Sequence, residues 1–206
     1  MLKLFYSPGG CSLASHIALE EAGASYDCVR TNTAEGEQRR PEYLAINPKG
    51  RVPALVTERG VLTETPAILA FVAQSFPAAR LAPLDDPFAF AEVQAFNSYL
   101  CSTVHVAHAH KHRGYRWASE ESSFEDMRAK VAGNEVDCFR LIETEYLQGP
   151  WVMGEQFTVA DGYLFTLADW LEGDGVDPKQ FPKVYEHRER TRGRPAVRKV
   201  LAEMAA

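Results

Sequence analysis

The chain has 206 residues, of which 46% are hydrophobic and 24% charged, a balance typical of a soluble globular protein. Its formal net charge of −6 at pH 7 disfavours nucleic acid and anionic membranes as main partners, because both repel a negatively charged surface. No apolar run reaches the length of a membrane span, and the apolar start of the chain is too short for a secretion signal. We therefore expect a cytoplasmic protein whose cysteines, which lack CxxC spacing, are free thiols: Cys11, Cys28, Cys101 and Cys138.

The N-terminal part of the chain alternates between strand and helix patterns. Residues 2–6 form a β-prone run that ends at a Ser-Pro-Gly-Gly turn, and residues 12–22 carry apolar side chains at helical spacing. Gly23 stands where the C-terminal cap of that helix belongs. Residues 26–31 predict a second strand, and the strand–helix–strand order implies a parallel pair with a right-handed crossover.

Three short elements are predicted next: a helical segment at 42–44 and the two strands of a hairpin at 52–57 and 61–62. Pro53 has no N–H to donate, so it either restricts the first hairpin strand to a sheet edge or lies among its first residues. Thr65 is predicted as the N-cap of the following helix, with Pro66 at its first position.

Strand signals nearly vanish after a stretch rich in Pro and Asp at residues 80–87, which we interpret as a linker. The rest of the chain predicts four helices, the last of them interrupted near residues 193–195: 88–112, 124–147, 159–171 and 184–205. The predicted fold class is therefore α/β plus all-α, with a small α/β domain at 1–79 and an all-helical domain at 88–206.

Cys11 stands between a Pro-Gly-Gly turn and the first predicted helix. A thiol at that position faces the unpaired N–H groups and the positive dipole end of the helix, which favour the thiolate form. The two preceding glycines leave room for a ligand to approach the backbone. The alternative is a small buried thiol without a chemical role, and the position alone does not decide between them.

Two further motifs suit an extended peptide and an amino-acid head group. If the Val52–Pro53 bond is cis, the Val52 N–H and C=O turn away from the sheet and can pair with a peptide, although the cis frequency of about 5–6% favours trans. Thr65 and the N–H groups after it form a carboxylate site, and Glu64 beside it can accept an ammonium group. Taken alone, this second motif is more typical of a plain helix cap.

The segment from Thr158 to Asp161 is a capping box with Asp in place of Glu, which we interpret as structural. The hydrophobic staple that would pair Phe157 with residue 162 is missing, because Gly162 has no side chain.

Four histidines are clustered on one predicted helix, and His105, His108 and His112 share a face of it beside His110. No flanking carboxylate completes a metal signature, so a solvated or cleft-lining face is favoured and no metal is expected. A histidine facing the Cys11 cleft would steady a thiolate or polarise a substrate.

Four local signatures resemble those of the beta class of bacterial glutathione transferases, in order, at matching spacing and over nearly the whole chain: residues 5–17, 47–55, 62–64 and 157–165. The resemblance implies a thioredoxin-like, glutathione-binding domain followed by a helical domain that contributes the electrophile site, in a homodimer. It implies glutathione as co-substrate and conjugation to small hydrophobic electrophiles, with thiol–disulfide exchange through Cys11 as a further activity. The alternatives are a glutathione-dependent isomerase or dehalogenase, and a non-catalytic partner-binding protein of the same fold.

The resemblance also implies roles for individual residues. Cys11 would contact the glutathione sulfur or form a mixed disulfide with it, with Ser12 and His105 as rival catalytic groups. Val52 would pair its backbone with the cysteinyl part before a cis-Pro53. The other implied substrate-binding residues are Glu64 and Thr65 at the γ-glutamyl end, together with Tyr6, Lys49 and Arg51.

Several positions depart from the family pattern. The loop lysine that contacts the glycyl end in relatives has no counterpart here, which leaves Arg51, Lys49 or Arg39 as substitutes. Val106 follows the cleft histidine where relatives usually have Lys. These departures leave the electrophile pocket unreadable from the sequence.

Overall fold

The computed structural model describes residues 1–205 and begins with a βαβ unit: β1 (Leu2–Tyr6), α1 (Ser12–Glu21) and β2 (Tyr26–Arg30). β1 and β2 pair in parallel, with Leu2 beside Tyr26 and Tyr6 beside Arg30, so the predicted parallel pair is confirmed. Gly23 takes a φ of +64°, a left-handed conformation that glycine adopts without steric cost and that ends the helix as predicted.

The α/β unit is completed by four further elements: α2 (Pro41–Leu44), β3 (Ala54–Thr57), β4 (Gly60–Thr63) and α3 (Thr65–Ser75). The sheet order is β2-β1-β3-β4, and β3 runs antiparallel to both of its neighbours. Of the two alternatives for Pro53, the sheet edge is wrong, because β3 is an interior strand. Pro53 instead precedes the first paired residue, so no ladder hydrogen bond requires its missing N–H.

The start of α3 differs from the prediction that Thr65 is its N-cap. Glu64 occupies the N-cap with a φ of 71°, and its carbonyl accepts from the Ile68 N–H at 3.0 Å. Thr65 is therefore already helical, and no side-chain cap bond forms at this helix. The physical reason is that the tight reversal after β4 falls on Glu64, one residue earlier than the Thr-Pro pattern suggests.

The helical unit has six helices within residues 1–205: α4 (Pro87–Tyr99), α5 (His105–Arg113), α6 (Glu121–Leu141), α7 (Val159–Ala168), α8 (Pro182–Arg192) and α9 (Pro195–Ala205). The predicted break near residues 193–195 is confirmed, whereas residue 206, the predicted end of this domain, lies outside the described residues. A π-helical turn at Leu100–Val104 separates α4 from α5, and a second one at Ile142–Tyr146 follows α6. Apolar spacing did not predict either turn. No helix of residues 1–205 has both the length and the apolar character needed to cross a membrane.

The two units share one apolar core, in which α1 packs against α7 and α9. The capping box is confirmed: the Thr158 N–H donates to Asp161 Oδ2 at 2.7 Å, and the Ala160 N–H donates to Thr158 Oγ1 at 3.3 Å. A Cβ on Gly162 would lie 3.2 Å from Ile17 Cγ2. Gly162 leaves α7 without a hydrophobic staple, but its lack of a side chain allows α7 to approach α1 closely.

Candidate functional site

A cavity of about 410 Å³ lies between the two units. One wall belongs to the α/β unit and is formed by the loop before α1, the loop before β3 and the start of α3. The opposite wall belongs to α5 and the turn after it, together with Tyr163 and Trp170. Of the residues predicted for the site, the structure brings seven to this cavity: Cys11, Arg51, Val52, Pro53, Glu64, Thr65 and His105.

Cys11 caps the N-terminus of α1, and its thiol donates to the Val52 carbonyl oxygen at 3.5 Å. Burial raises the pKa of the Cys11 thiol above its ordinary value, and a hydrogen bond from Thr65 and the charge of Arg113 oppose that shift. Desolvation therefore outweighs the interactions that favour a thiolate at this helix N-terminus, and the net direction of the pKa shift is upward.

The loop before β3 presents backbone groups to the cavity. The Val52–Pro53 bond is cis, as the family resemblance implies and against the general frequency that favours trans. The Arg51 carbonyl oxygen accepts from the Tyr43 hydroxyl and from Asn47 Nδ2, both at 2.7 Å, which fixes the loop against α2. Among the hydrogen bonds of residues 1–205, none involves the Val52 N–H. This N–H is therefore free to donate to a ligand backbone.

Glu64 and Lys49 form an ion pair at the rim of the cavity. Lys49 Nζ lies 2.6 Å from Glu64 Oε1 and 2.9 Å from Thr63 Oγ1. Lys49 itself does not line the cavity, so the structure does not bring it to a ligand carboxylate. Both side chains of the pair are about half exposed, at 48% and 51%, and such pairs contribute little stability. A ligand ammonium group can therefore replace Lys49 at Glu64 at small cost.

Besides Lys49, two further predicted site residues lie away from the cavity, Ser12 and Tyr6. Ser12 is fully buried, and its hydroxyl donates to the Ser7 carbonyl oxygen at 3.1 Å while accepting from the Ser7 N–H at 3.0 Å. Both hydrogen-bonding roles of Ser12 are thus used to hold the loop before Cys11. The Tyr6 ring is buried with its centroid 5.5 Å from that of His16, on the core side of the sheet.

The histidine face of α5 lines the cavity as predicted, with His105, His108 and His112 on one wall. Trp170 packs against this wall, stacked on His108 at a centroid distance of 4.2 Å and edge-on to His105 at 5.2 Å. Trp170 Nε1 also donates to the Gly9 carbonyl oxygen at 3.1 Å, which connects the wall to the Cys11 loop. Within residues 1–205, no group of three His, Cys, Asp or Glu side chains is arranged to hold a metal ion.

His105 is held in its neutral form. Burial, followed by the nearby charge of Arg113 and smaller contributions from His108, Arg51 and Arg116, lowers the pKa of His105 to about 3. His105 therefore offers an uncharged imidazole to the cavity near pH 7, and it is not available as a cation that would stabilise a thiolate.

Buried acids support the α5 wall from behind. Asp174 Oδ2 lies 2.6 Å from His108 Nδ1, and Asp174 Oδ1 accepts from Lys111 Nζ at 3.2 Å. Glu135 of α6 is also buried, and burial together with the charge of Asp174 raises its pKa to about 8. Asp174 therefore fixes the orientation of His108, which in turn is stacked on Trp170.

Several residues of the cavity were not assigned to the site from the sequence, among them Cys101, Arg113, Arg116, Tyr163 and Trp170. The two arginines had a detectable signal, because they continue the helical spacing of the histidine face at the end of α5 and in the turn Gly114–Arg116. Tyr163 and Trp170 had none, because their approach to Cys11 depends on how α7 packs against α1.

The comparisons with known proteins agree with this geometry. A family model for the glutathione S-transferase N-terminal domain matches residues 1–74, and one for the C-terminal domain matches residues 105–195. A glutathione S-transferase from Escherichia coli O157:H7 is 30% identical over 204 residues, which cover 98% of both chains. A solved glutathione transferase homologue from Sulfitobacter, with bound glutathione, is 48% identical with a TM-score of 0.96 over 98% of each chain. The beta-class enzyme of Sphingomonas chungbukensis is 33% identical with a TM-score of 0.86, also over 98% of each chain. The chain belongs to the glutathione S-transferase family, and the resemblance to its bacterial beta class is confirmed.

Proposed function

We propose that the protein is a glutathione transferase that joins glutathione to a small electrophile held against the α5 wall. The observation that carries this proposal is the juxtaposition of Cys11 with the Val52 backbone, whose carbonyl oxygen lies 3.5 Å from the thiol. A cysteinyl residue that pairs with the free Val52 N–H brings its own sulfur next to Cys11.

The charges around the cavity complement those of glutathione, which carries two carboxylates and one ammonium group. The γ-glutamyl carboxylate binds at Thr65 and the N–H groups that begin α3, and the ammonium group binds Glu64 in place of Lys49. The glycyl carboxylate binds Arg51 or Arg39, which line the same wall.

Cys11 acts as a hydrogen-bond donor in this mechanism. Because burial raises its pKa, its thiol keeps its proton and stabilises the thiolate of glutathione, which is the nucleophile. The glutathione sulfur forms a bond to the electrophilic carbon, the leaving group departs with its electron pair, and the thiol proton passes to water. Neutral His105 faces the acceptor as a hydrogen-bonding group.

Thiol–disulfide exchange is a second candidate activity, because the Cys11 sulfur faces the cavity. In that reaction the Cys11 thiolate attacks the glutathione sulfur of a mixed disulfide between glutathione and another thiol, forms a disulfide with glutathione and releases the other thiol. A second glutathione then restores Cys11 and leaves as glutathione disulfide. The raised pKa of Cys11 disfavours the attacking thiolate, so we rank this activity below conjugation.

The test compares Cys11→Ala with Cys101→Ala, a control that removes another cysteine of the same cavity. We expect Cys11→Ala to bind glutathione, to lose disulfide exchange, and to conjugate a chlorinated nitroaromatic about 10- to 100-fold less efficiently, the cost of one hydrogen bond to a charged group. Failure of the unmodified protein to bind a glutathione column overturns the proposal and favours a partner-binding protein. Turnover of disulfides without turnover of electrophiles reverses the ranking.

We further propose that residues 1–79 form the glutathione-binding domain, that residues 88–206 supply the electrophile side, and that the protein is a homodimer. The family-model matches at 1–74 and 105–195 support the division. Phe88 at the start of α4 is 75% exposed, and it is a candidate for the face between subunits that light scattering would test. The four free thiols support a reducing, cytoplasmic location.

A further inference from the structure

The cavity is strongly basic although the chain as a whole is acidic. Four arginines line it within residues 1–205, against one carboxylate, Glu64: Arg39, Arg51, Arg113 and Arg116. The net charge of the chain is −6, so the positive charge is concentrated at the site rather than spread over the protein.

These four arginines lack the carboxylate partners that several arginines outside the cavity have. Arg188 is paired with Glu172 at 2.8 Å, and Arg194 with Glu21 at 2.5 Å. None of the four cavity arginines forms an ion pair with a residue among 1–205. The pKa of Arg116 is lowered, first by burial and then, among other influences, by the charges of Arg51 and Arg113. Unpaired guanidinium groups that repel one another across a cavity form a site for an anion.

Glutathione accounts for only part of this charge. With glutathione bound as proposed, its two carboxylates lie at the start of α3 and at Arg51 or Arg39, all on the α/β wall. Arg113 ends α5 and Arg116 lies in the next turn, so both belong to the opposite wall. Both line the cavity on the same wall as His105.

The same wall carries aromatic rings suited to a planar ligand. Tyr115 and Trp117, which are 60% and 47% exposed, flank Arg116 and line the cavity. Guanidinium groups beside aromatic faces suit a planar ring that bears an acidic substituent, because the ring stacks while the acid pairs.

We propose that the second substrate is an aromatic electrophile bearing a carboxylate, which Arg113 and Arg116 bind. The inference rests on the proposed function and deepens it. In the reaction, the sulfur of glutathione bonds to the ring carbon and the leaving group, for example chloride, departs with the bonding electrons. The carboxylate is not altered, and the thiol proton passes to water.

The kinetic test uses two acceptors of nearly equal shape, 4-chloro-3,5-dinitrobenzoate and the corresponding benzamide. Each kcat/KM is divided by the uncatalysed rate with glutathione, which removes the difference in ring reactivity. We expect a preference for the carboxylate of about tenfold or more, and a loss of that preference in Arg113→Met or Arg116→Met. The selectivity ratio is the readout because Arg113 also lies near Cys11 and affects both acceptors.

The control variants are Arg113→Lys, which keeps the charge and should restore most of the preference, and Arg140→Met. Arg140 is exposed on α6 and paired with Asp137, away from the cavity, so its loss should leave the ratio unchanged. A ratio near one in the unmodified protein, or an unchanged ratio in both methionine variants, overturns the inference.

A binding measurement separates this inference from the proposed function. Quenching of Trp117 and Trp170 fluorescence by unreactive 3-nitrobenzoate and 3-nitrobenzamide gives two dissociation constants without any turnover. Tighter binding of the benzoate that depends on Arg113 or Arg116 supports the anion site even if conjugation is absent. Displacement of the benzoate by saturating glutathione overturns the inference, because the arginines then serve glutathione itself.

Discussion

Glu135 of α6 couples the stability of the protein to pH. The side chain is 2% exposed, and Oε1 has no hydrogen-bond partner among residues 1–205. Burial and the nearby charge of Asp174 raise its pKa from 4.5 to about 8, so the carboxyl is protonated in the folded state near neutral pH. Glu135→Gln replaces this neutral acid with an amide of the same shape that cannot ionise.

The size of the effect follows from the two pKa values. Below pH 4.5 the carboxyl is protonated in both states, and its contribution to stability is fully present. Between pH 4.5 and about 8 the unfolded chain loses the proton and the folded protein keeps it, so stability falls by about 1.4 kcal/mol per pH unit. From pH 5 to pH 7, the ionisation of Glu135 alone should therefore lower the free energy of unfolding by about 2–3 kcal/mol.

Urea unfolding at fixed protein concentration, from pH 5 to pH 8, measures this effect. Glu135→Gln should match the unmodified protein near pH 5 and exceed its stability by a few kcal/mol, on the order of 3, near pH 8. Asp137→Asn is the control, because Asp137 is an exposed carboxylate on the same helix, with a side chain that is 77% exposed. Parallel stability curves for Glu135→Gln and the unmodified protein would refute the argument.

Two other substitutions test the ligand site and the helical unit. Glu64→Gln should raise the glutathione KM about tenfold or more, because a charge-assisted contact with the ligand is lost. Glu58→Gln, at an exposed site, is the control and should leave KM unchanged. Equal KM values for the two variants would contradict the assignment of Glu64. Asp161→Ala should destabilise the protein by about 3–5 kcal/mol in urea unfolding, because it leaves the buried N–H groups of Val152 and Thr158 and the ring of His187 without their acceptor. A loss below about 1 kcal/mol would show that these donors find other partners.

The sequence predicted those parts of the fold that depend on local interactions. The βαβ start, the capping box at Thr158 and the break near residues 193–195 each rest on turn residues, caps or apolar spacing within a few positions. The Thr65 cap was misplaced by one residue, because the reversal after β4 forces Glu64 into a positive φ. The two π-helical turns were missed because their apolar spacing differs too little from that of an α-helix.

The sequence predicted the site residues whose positions depend on neighbouring residues in the chain. It did not predict those whose positions depend on tertiary packing. Cys11 and the Val52 backbone stand at a helix start and beside a proline, so their positions follow from short motifs. Ser12 adjoins Cys11, yet its hydroxyl is used by Ser7, and no single-sequence pattern distinguishes a side chain that faces the cavity from one that faces the loop. The raised pKa of Cys11 arises from burial by both units together and could not be read from its helix position.

The π-helical turn at Leu100–Val104 sets the rotational phase of everything that follows it in α5. A turn of this kind holds one residue more than an α-helical turn, and each residue advances a helix by about 100°. If the same five residues formed a regular α-helix instead, α5 would be rotated by about that angle relative to α4. His105 and Arg113 would then face away from the cavity. The π-helical turn therefore determines that the side chains of α5 face Cys11 on the α/β wall.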